Sequence, residues 1–135
     1  MKGIADTGFL VAFANRHDEH HDWAINLAKQ ITEPLLTCEA VLAQAAFHLQ
    51  SVPTVLGLVR DGLVEVAFDC RDHWVQLEAL AARYADRHPD FADLCLVRLS
   101  ELHPNHRVIT VDREDFKIYR RNKRETIPVI CPPSR

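Results

Sequence analysis

The stretch KGIADTGFLVAFA, residues 2–14, contains the change of pattern that decides the fold. Residues 2–5 form a short apolar run that predicts a strand, and apolar residues at helical spacing then predict a helix over residues 8–14. Asp6 and Thr7 lie at the junction between the two. The chain therefore begins with a strand that leads directly into a helix.

The same alternation of short apolar runs and longer helical patterns continues along the chain. Further strands are predicted at residues 35–37, 63–66, 108–111 and 127–131, the last at a sheet edge because of its prolines. Further helices are predicted at residues 18–31, with Asp18 as N-cap, and at 39–50, 53–60, 71–86 and 90–102. This order is typical of an α/β fold with a mostly parallel sheet. No repeat or Gly/Ser linker divides the sequence, so residues 1–135 are predicted to form a single domain.

Composition indicates an ordinary globular protein. The 135 residues are 47% hydrophobic and 26% charged, which suits one domain with a sizeable core. No apolar run has the roughly 18–20 residues of a membrane span, and no signal-peptide pattern precedes the first helix. We therefore expect a cytoplasmic protein without membrane contact. The four cysteines form no CxxC pair, and this spacing favours buried thiols over disulfides or zinc ligands.

The charge distribution is uneven near the C-terminal end. The formal net charge is −3, yet residues 113–124 contain six basic residues and only two acidic ones. Such a patch either binds phosphates or is a solvated face. The candidates for contact with nucleic-acid phosphates are Arg113, Lys117, Arg120 and Arg121.

Acidic residues follow several of the predicted strands. Asp6 closes the first strand, Glu39 follows the second, Asp112 closes the fourth, and Asp93 lies in the first turn of the helix at 90–102. Ligands of parallel sheets bind beyond the carboxyl ends of the strands. Carboxylates gathered there repel one another unless a cation neutralises them. Oxygen ligands without neighbouring His or Cys pairs suit Mg²⁺ or Mn²⁺, which can activate water for phosphodiester hydrolysis.

Each acid also has a simpler interpretation. Asp6 could cap a helix after a turn, and this alternative has about equal weight. Asp90 is more typical of an N-cap than of a ligand, and Asp112 and Asp115 could be turn or capping residues. The histidines at 17, 20, 21, 103 and 106 lack the partners of a zinc site and are interpreted as solvated.

Four blocks of sequence match a known family in their order along the chain. They are DTGFLVA (residues 6–12), LTCEAVLA (36–43), DFADLCLV (90–97) and ITVDREDF (109–116). Together they resemble the PIN-domain nucleases, most of all the VapC-type toxins of bacterial toxin–antitoxin pairs. The blocks span nearly the whole chain, and their ordered occurrence is far more specific than an isolated DTG.

The resemblance implies a three-layer α/β/α sandwich with strand order 3-2-1-4-5 and Mg²⁺- or Mn²⁺-dependent cleavage of RNA. It also implies a homodimer and a small antitoxin protein as partner. The catalytic and metal-binding acids would be Asp6, Asp93 and Asp112, supported by the hydroxyls of Thr7 and Thr110, with Asp115 just outside the site.

The chain departs from the family at one position. Gln44 stands where a glutamate is usual, and an amide brings no charge and cannot act as a base. Glu39 could supply the missing carboxylate from the side, although five helical residues separate the two by about 140° and about 7.5 Å. Two functions therefore stay open: a metal-dependent endoribonuclease toxin, and a catalytically weakened PIN-like module that binds RNA or a partner. A DNA nuclease or phosphatase is a more distant alternative.

Overall fold

The computed structural model describes residues 1–133, and a parallel sheet of five strands lies at its centre. The strands are β1 Gly3–Ala5, β2 Leu35–Thr37, β3 Val64–Val66, β4 Arg107–Ile109, β5 Arg120–Arg121, β6 Glu125–Thr126 and β7 Val129–Ile130. The central sheet has the order β3-β2-β1-β4-β7, and all four of its strand pairs are parallel. Since β7 is the fifth predicted strand, the structure confirms the α/β class and the predicted order.

In the described residues, seven α-helices surround the sheet in an α/β sandwich. They are α1 Thr7–Ala14, α2 His21–Ala28, α3 Glu39–Leu49, α4 Val52–Arg60, α5 Trp74–Arg83, α6 Phe91–Leu102 and α7 Arg113–Lys117. Helix α1 packs against α2 and α3, α3 also packs against α4, and α6 packs on β1 and β4 with α5 against it. None of the helices in residues 1–133 combines the length and apolarity needed to cross a membrane.

Two helix predictions were wrong in their bounds. Asp18 does not cap the second helix, because its side chain accepts from the His20 amide, 2.8 Å away, in the turn before α2. The helix predicted at 71–86 is three elements: the 3₁₀ turn Cys70–Asp72, then α5, then the 3₁₀ turn Ala85–Arg87. Apolar spacing is similar in α- and 3₁₀-segments, so periodicity alone could not separate them.

The antiparallel pair β5–β6 was not predicted. Its turn residues Asn122 and Lys123 both adopt positive φ, +50° and +71°. Hairpin turns need such angles, but their usual sequence signal is a glycine, which this turn lacks. The pair adds a small ribbon outside the central sheet.

A close approach beside the strand ends involves Gly8 in α1. A Cβ at this position would lie 2.6 Å from Val111 Cγ2, a distance that forces one of the two elements to move. The missing side chain therefore lets the first turn of α1 approach the segment after β4. Asp6 and the acids that follow β4 lie at one edge of the sheet because β1 and β4 are neighbouring parallel strands.

Candidate active site

A cleft of about 520 Å³ opens at the carboxyl ends of β1 and β4. Its walls come from the first turns of α1 and α6, the middle of α3, the segment before α2 and the segment that leads into α7. The acidic side chains that line it are Asp6, Asp18, Glu19, Asp90, Asp93, Asp112 and Asp115. Among the described residues no Lys or Arg lines this cleft, so its potential is strongly negative.

Asp6 serves two purposes at once. Its Oδ1 accepts a hydrogen bond from the Phe9 amide at 2.9 Å and caps α1, while the residue also lines the cleft. The side chain is buried, and burial raises its pKa to about 6, against the lowering effect of the Thr110 side chain and the Phe9 amide. Asp6 can therefore be both a helix cap and a site residue, since the hydrogen bond from the Phe9 amide holds its buried carboxyl at the end of β1.

Asp93 lies in the first turn of α6, as predicted, and is half-buried. Burial raises its pKa to about 7, with a further contribution from the carboxylates of Asp90, Asp115 and Asp6. The Tyr119 hydroxyl donates to Asp93 Oδ2 at 3.5 Å and partly offsets this effect. This environment disfavours the ionised form of the Asp93 carboxyl, and a nearby cation would stabilise that form.

Asp112 and Thr110 form the opposite wall. Asp112 Oδ1 accepts from the Glu114 amide at 2.9 Å and caps α7, and its own amide donates to Thr110 Oγ1 at 3.1 Å. Asp115, one turn later, has a raised pKa because of burial and the adjacent Asp112. Asp112 therefore fits both predicted roles, because it caps α7 and also lines the cleft.

Gln44 bridges the two sides of the cleft. Its Nε2 donates to Asp90 Oδ2 at 2.7 Å, and its Oε1 accepts from Thr7 Oγ1 at 2.7 Å. A carboxylate can only accept, so the amide nitrogen must face Asp90 and the amide oxygen must face Thr7. Asp90 also caps α6 through the Ala92 amide at 2.7 Å. Gln44, for which the resemblance to PIN-domain nucleases would imply a glutamate, is therefore matched to Asp90.

The structure does not bring Glu39 into this group. Glu39 begins α3, is exposed, and lines a neighbouring groove with Cys38, Cys70 and Trp74 instead of the cleft. The rotation and rise along the helix separate it from Gln44. The structure therefore does not place Glu39 in the cleft beside Gln44, and the acid that contacts Gln44 is Asp90.

The predicted basic residues divide into two kinds. Arg113 and Lys117 are exposed on α7, where Lys117 also pairs with Glu114 at 2.9 Å. Arg120 is half-buried and donates to the Lys117 and Tyr119 carbonyls. Arg121 is only 5% exposed and binds Glu125 and the carbonyls of Ser100 and Pro104. Arg121 is therefore a structural residue, and its assignment to RNA contact is wrong.

The acids fit a hard divalent cation by their chemistry. Burial and neighbouring carboxylates raise the pKa of Asp6 and Asp93, and a bound cation would favour the ionised form of both. In residues 1–133, however, no three His, Cys, Asp or Glu side chains stand close enough to hold one metal ion as they lie. The residues available for a cation are Asp6, Asp93 and Asp112, with Asp90 beside them.

Sequence reasoning assigned no site role to several residues of this cleft. The sequence indicates only a cap for Asp90 and a solvated residue for His20, and it gives no signal for His48, which lines the cleft, or for Tyr119, which contacts Asp93. The Asp90–Asp93 spacing of three residues was the available signal, because residues three apart at a helix start share one side. Nothing in the local pattern of His48 or Tyr119 points to the cleft.

Comparison with known proteins supports the fold. No family model matches the chain, and no curated protein matches it in sequence. Among solved structures, it is similar to Mycobacterium tuberculosis VapC20, a toxin that cleaves the sarcin–ricin loop, with a TM-score of 0.69 and 19% identity. The match covers 81% of this chain and 88% of VapC20. The chain therefore has a PIN-like, VapC-like fold, with an acidic cleft at the carboxyl ends of its strands.

Proposed function

We propose that the chain is a Mg²⁺- or Mn²⁺-dependent endoribonuclease and the toxin of a VapBC-type toxin–antitoxin pair. The observation that carries the proposal is the pair Asp6 and Asp93, two carboxyls of raised pKa at one edge of a VapC-like sheet. Burying two like charges without a purpose is costly. A divalent cation held by these carboxylates would offset the cost of burying them and would attract an RNA phosphate.

In this proposal Asp6, Asp93 and Asp112 hold the cation. A divalent ion, when bound, supplies the charge that activates a water molecule and stabilises the departing oxygen. Thr110 supports the acids directly, because its hydroxyl accepts from the Asp112 amide and lowers the pKa of Asp6. Thr7 acts through Gln44, to which its hydroxyl donates. The caps at both helix starts keep these carboxylates in place when the substrate enters.

RNA is the substrate of this proposal. The cleft is negative, so the phosphate backbone must be drawn by groups at its margin, where Arg113 and Lys117 are exposed on α7 directly after Asp112. Asp115 lies between them on the side that faces the cleft. An enzyme that acts on cellular RNA works where that RNA is, and the proposal includes a cytoplasmic location.

Cleavage of RNA with and without Mn²⁺ tests the proposal. Wild type, Asp93→Asn and the exposed control Asp22→Asn are incubated with an RNA that carries the sarcin–ricin loop, with a second structured RNA, and with a DNA of the same sequence. We expect metal-dependent RNA cleavage by wild type and Asp22→Asn, and a loss of roughly 100-fold or more in Asp93→Asn. Equal cleavage by all three proteins would indicate a contaminating nuclease and contradict the assignment.

A second candidate, an RNA- or partner-binding module with weakened catalysis, is favoured by Gln44. Both ends of its amide are already occupied, and the site has one carboxylate fewer at this position. This candidate predicts RNA binding that survives EDTA and no cleavage under any metal. The same experiment, with a filter-binding measurement added, distinguishes the two.

The proposal includes a homodimer and a small antitoxin. Phe47, Val52 and Leu56 form the α3–α4 patch, with 78%, 59% and 61% of each residue exposed. Large apolar side chains in such number on two neighbouring helices suit a second copy of the chain. The acidic cleft suits a basic segment of an antitoxin, because charges across an interface are complementary.

A further inference from the structure

Three of the four cysteines converge beside the cleft. Cys38 is the residue directly before α3, Cys70 begins the 3₁₀ turn after β3, and Cys95 lies in α6. Cys70 Sγ and Cys95 Sγ are 3.8 Å apart, although 25 residues separate them in sequence. All three are free thiols, and neither the proposed mechanism nor any partner interaction described above uses them.

Access to the three sulfurs differs. Cys95 is fully buried and Cys38 nearly so, whereas Cys70 is half-buried on the wall of a groove of about 790 Å³. A small reagent in this groove therefore meets Cys70 first. Cys95 lies directly behind it, within contact distance.

We infer that Cys70 and Cys95 are a redox-active pair that forms an intramolecular disulfide when a low-molecular-weight disulfide enters the groove. The sulfurs must approach by about 1.8 Å to reach the S–S distance of about 2.05 Å. Cys70 belongs to a one-turn segment between β3 and α5, so this segment can move while α6 stays in the core.

The reaction balances in two exchange steps. The Cys70 thiol loses its proton, attacks one sulfur of the small disulfide and releases one small thiol that takes up a proton. Cys95 Sγ then loses its proton, attacks Cys70 Sγ and releases the second small thiol in the same way. The two cysteines lose two electrons, and the small disulfide gains them.

Burial makes Cys95 the second cysteine to react. Cys95 is fully buried, whereas Cys70 is half-buried on the groove wall, so a reagent in the groove reaches Cys95 only through Cys70. The resulting bond links the groove wall to α6, two residues beyond Asp93.

The test uses the full chain, reduced and then incubated with oxidised glutathione. The protein is denatured, its remaining thiols are alkylated, and its intact mass and peptide map are measured. We expect two alkylated thiols in place of four, with Cys70 and Cys95 joined. Cys131→Ser, a half-buried control outside the cluster, should still form the bond, and Cys70→Ser should keep all its thiols free.

A thermal readout checks the fold independently. Oxidised wild type should melt about 5–10 °C above the reduced protein, because the bond restricts the unfolded chain. Cys70→Ser should show no such difference. Four free thiols after oxidation, a lasting glutathione adduct on Cys70, or a bond between Cys38 and Cys95 would each overturn the assignment of this pair.

Discussion

Gln44 Nε2 donates to Asp90 Oδ2 at 2.7 Å, and this hydrogen bond joins the middle of α3 to the N-cap of α6. The acid beside Gln44 explains why an amide is accommodated where a VapC-type nuclease usually has glutamate. A carboxylate at position 44 would stand directly against Asp90, and the two like charges would repel each other unless a cation were bound beside them. Gln44 therefore forms a neutral bridge between Thr7 and Asp90.

Gln44→Glu should make the stability of the protein depend on bound metal. Without metal we expect a loss of about 1–2 kcal/mol in unfolding free energy, since a hydrogen bond becomes a repulsion. With Mn²⁺ we expect tighter metal binding and faster RNA cleavage. Urea unfolding and metal titration measure both effects, with Gln30→Glu, an exposed residue, as control.

The double variant Gln44→Glu with Asp90→Asn isolates the contact. The asparagine amide introduced by Asp90→Asn can donate to the new carboxylate at position 44, and its oxygen can still cap α6. Most of the lost stability should therefore return without metal. If the double variant is as unstable as the two single changes added together, the two side chains do not interact in solution.

Divalent metal should stabilise the wild type more than Asp6→Asn. A cation relieves the cost of the buried carboxylates and binds only the folded state. Asparagine is as good an N-cap as aspartate, so Asp6→Asn should keep α1 and lose only the charge. The rise in Tm with Mg²⁺ or Mn²⁺ should fall to near zero in Asp6→Asn and persist in Asp22→Asn. Equal metal stabilisation of all three proteins would remove Asp6 from the site.

In EDTA the stability should decrease as pH rises from about 4 to about 7. The folded pKa values of Asp6 and Asp93, about 6 and about 7, lie above the unfolded value of 3.8. The folded protein therefore binds more protons in this window, so its stability is greatest below about pH 4 for these groups and the penalty is complete above about pH 7. Asp6→Asn should remove about 2–3 kcal/mol of this pH dependence. Denaturant midpoints at several pH values measure it; parallel curves for the two proteins would contradict the burial of this carboxyl.

Arg113→Ala should weaken RNA binding, whereas Arg121→Ala should lower the stability of the fold. Arg113 is exposed, so its removal should weaken RNA binding a few-fold, reduce the dependence on salt and leave Tm unchanged. Arg121 binds Glu125 and two carbonyls from a buried position, so its removal should cost about 1–3 kcal/mol of stability. Filter binding at several salt concentrations and thermal melts distinguish them. A stable Arg121→Ala that fails to bind RNA would reverse the two assignments.

Leu56→Glu should convert a dimer into a monomer. The change places a charge in the α3–α4 patch, where Leu56 is 61% exposed and touches little of its own chain. Val75→Glu, at an 80% exposed residue of α5, is the matched control and should remain dimeric. Light scattering at high concentration measures both. A monomeric wild type would contradict the dimer, and a monomeric Val75→Glu would move the interface to α5.

Local patterns determined the central strands, most of the helices and the placement of the acids beside them. The alternation of short apolar runs with helical spacing specifies a parallel sheet, and Asp6, Asp93 and Asp112 follow from their positions at strand ends and at a helix start. Periodicity and capping depend on residues within one turn or one strand. They can therefore be deduced before the chain is folded.

Contacts between distant segments were decided only by the tertiary structure. Gln44 meets Asp90 across 46 residues, and Cys70 meets Cys95 across 25. The sequence places Arg121 in a basic patch, but in the folded chain the β5–β6 pair holds its side chain in a buried position. Which side chains meet depends on how helices rotate and pack against the sheet, and that arrangement is set by the whole core and by no local pattern.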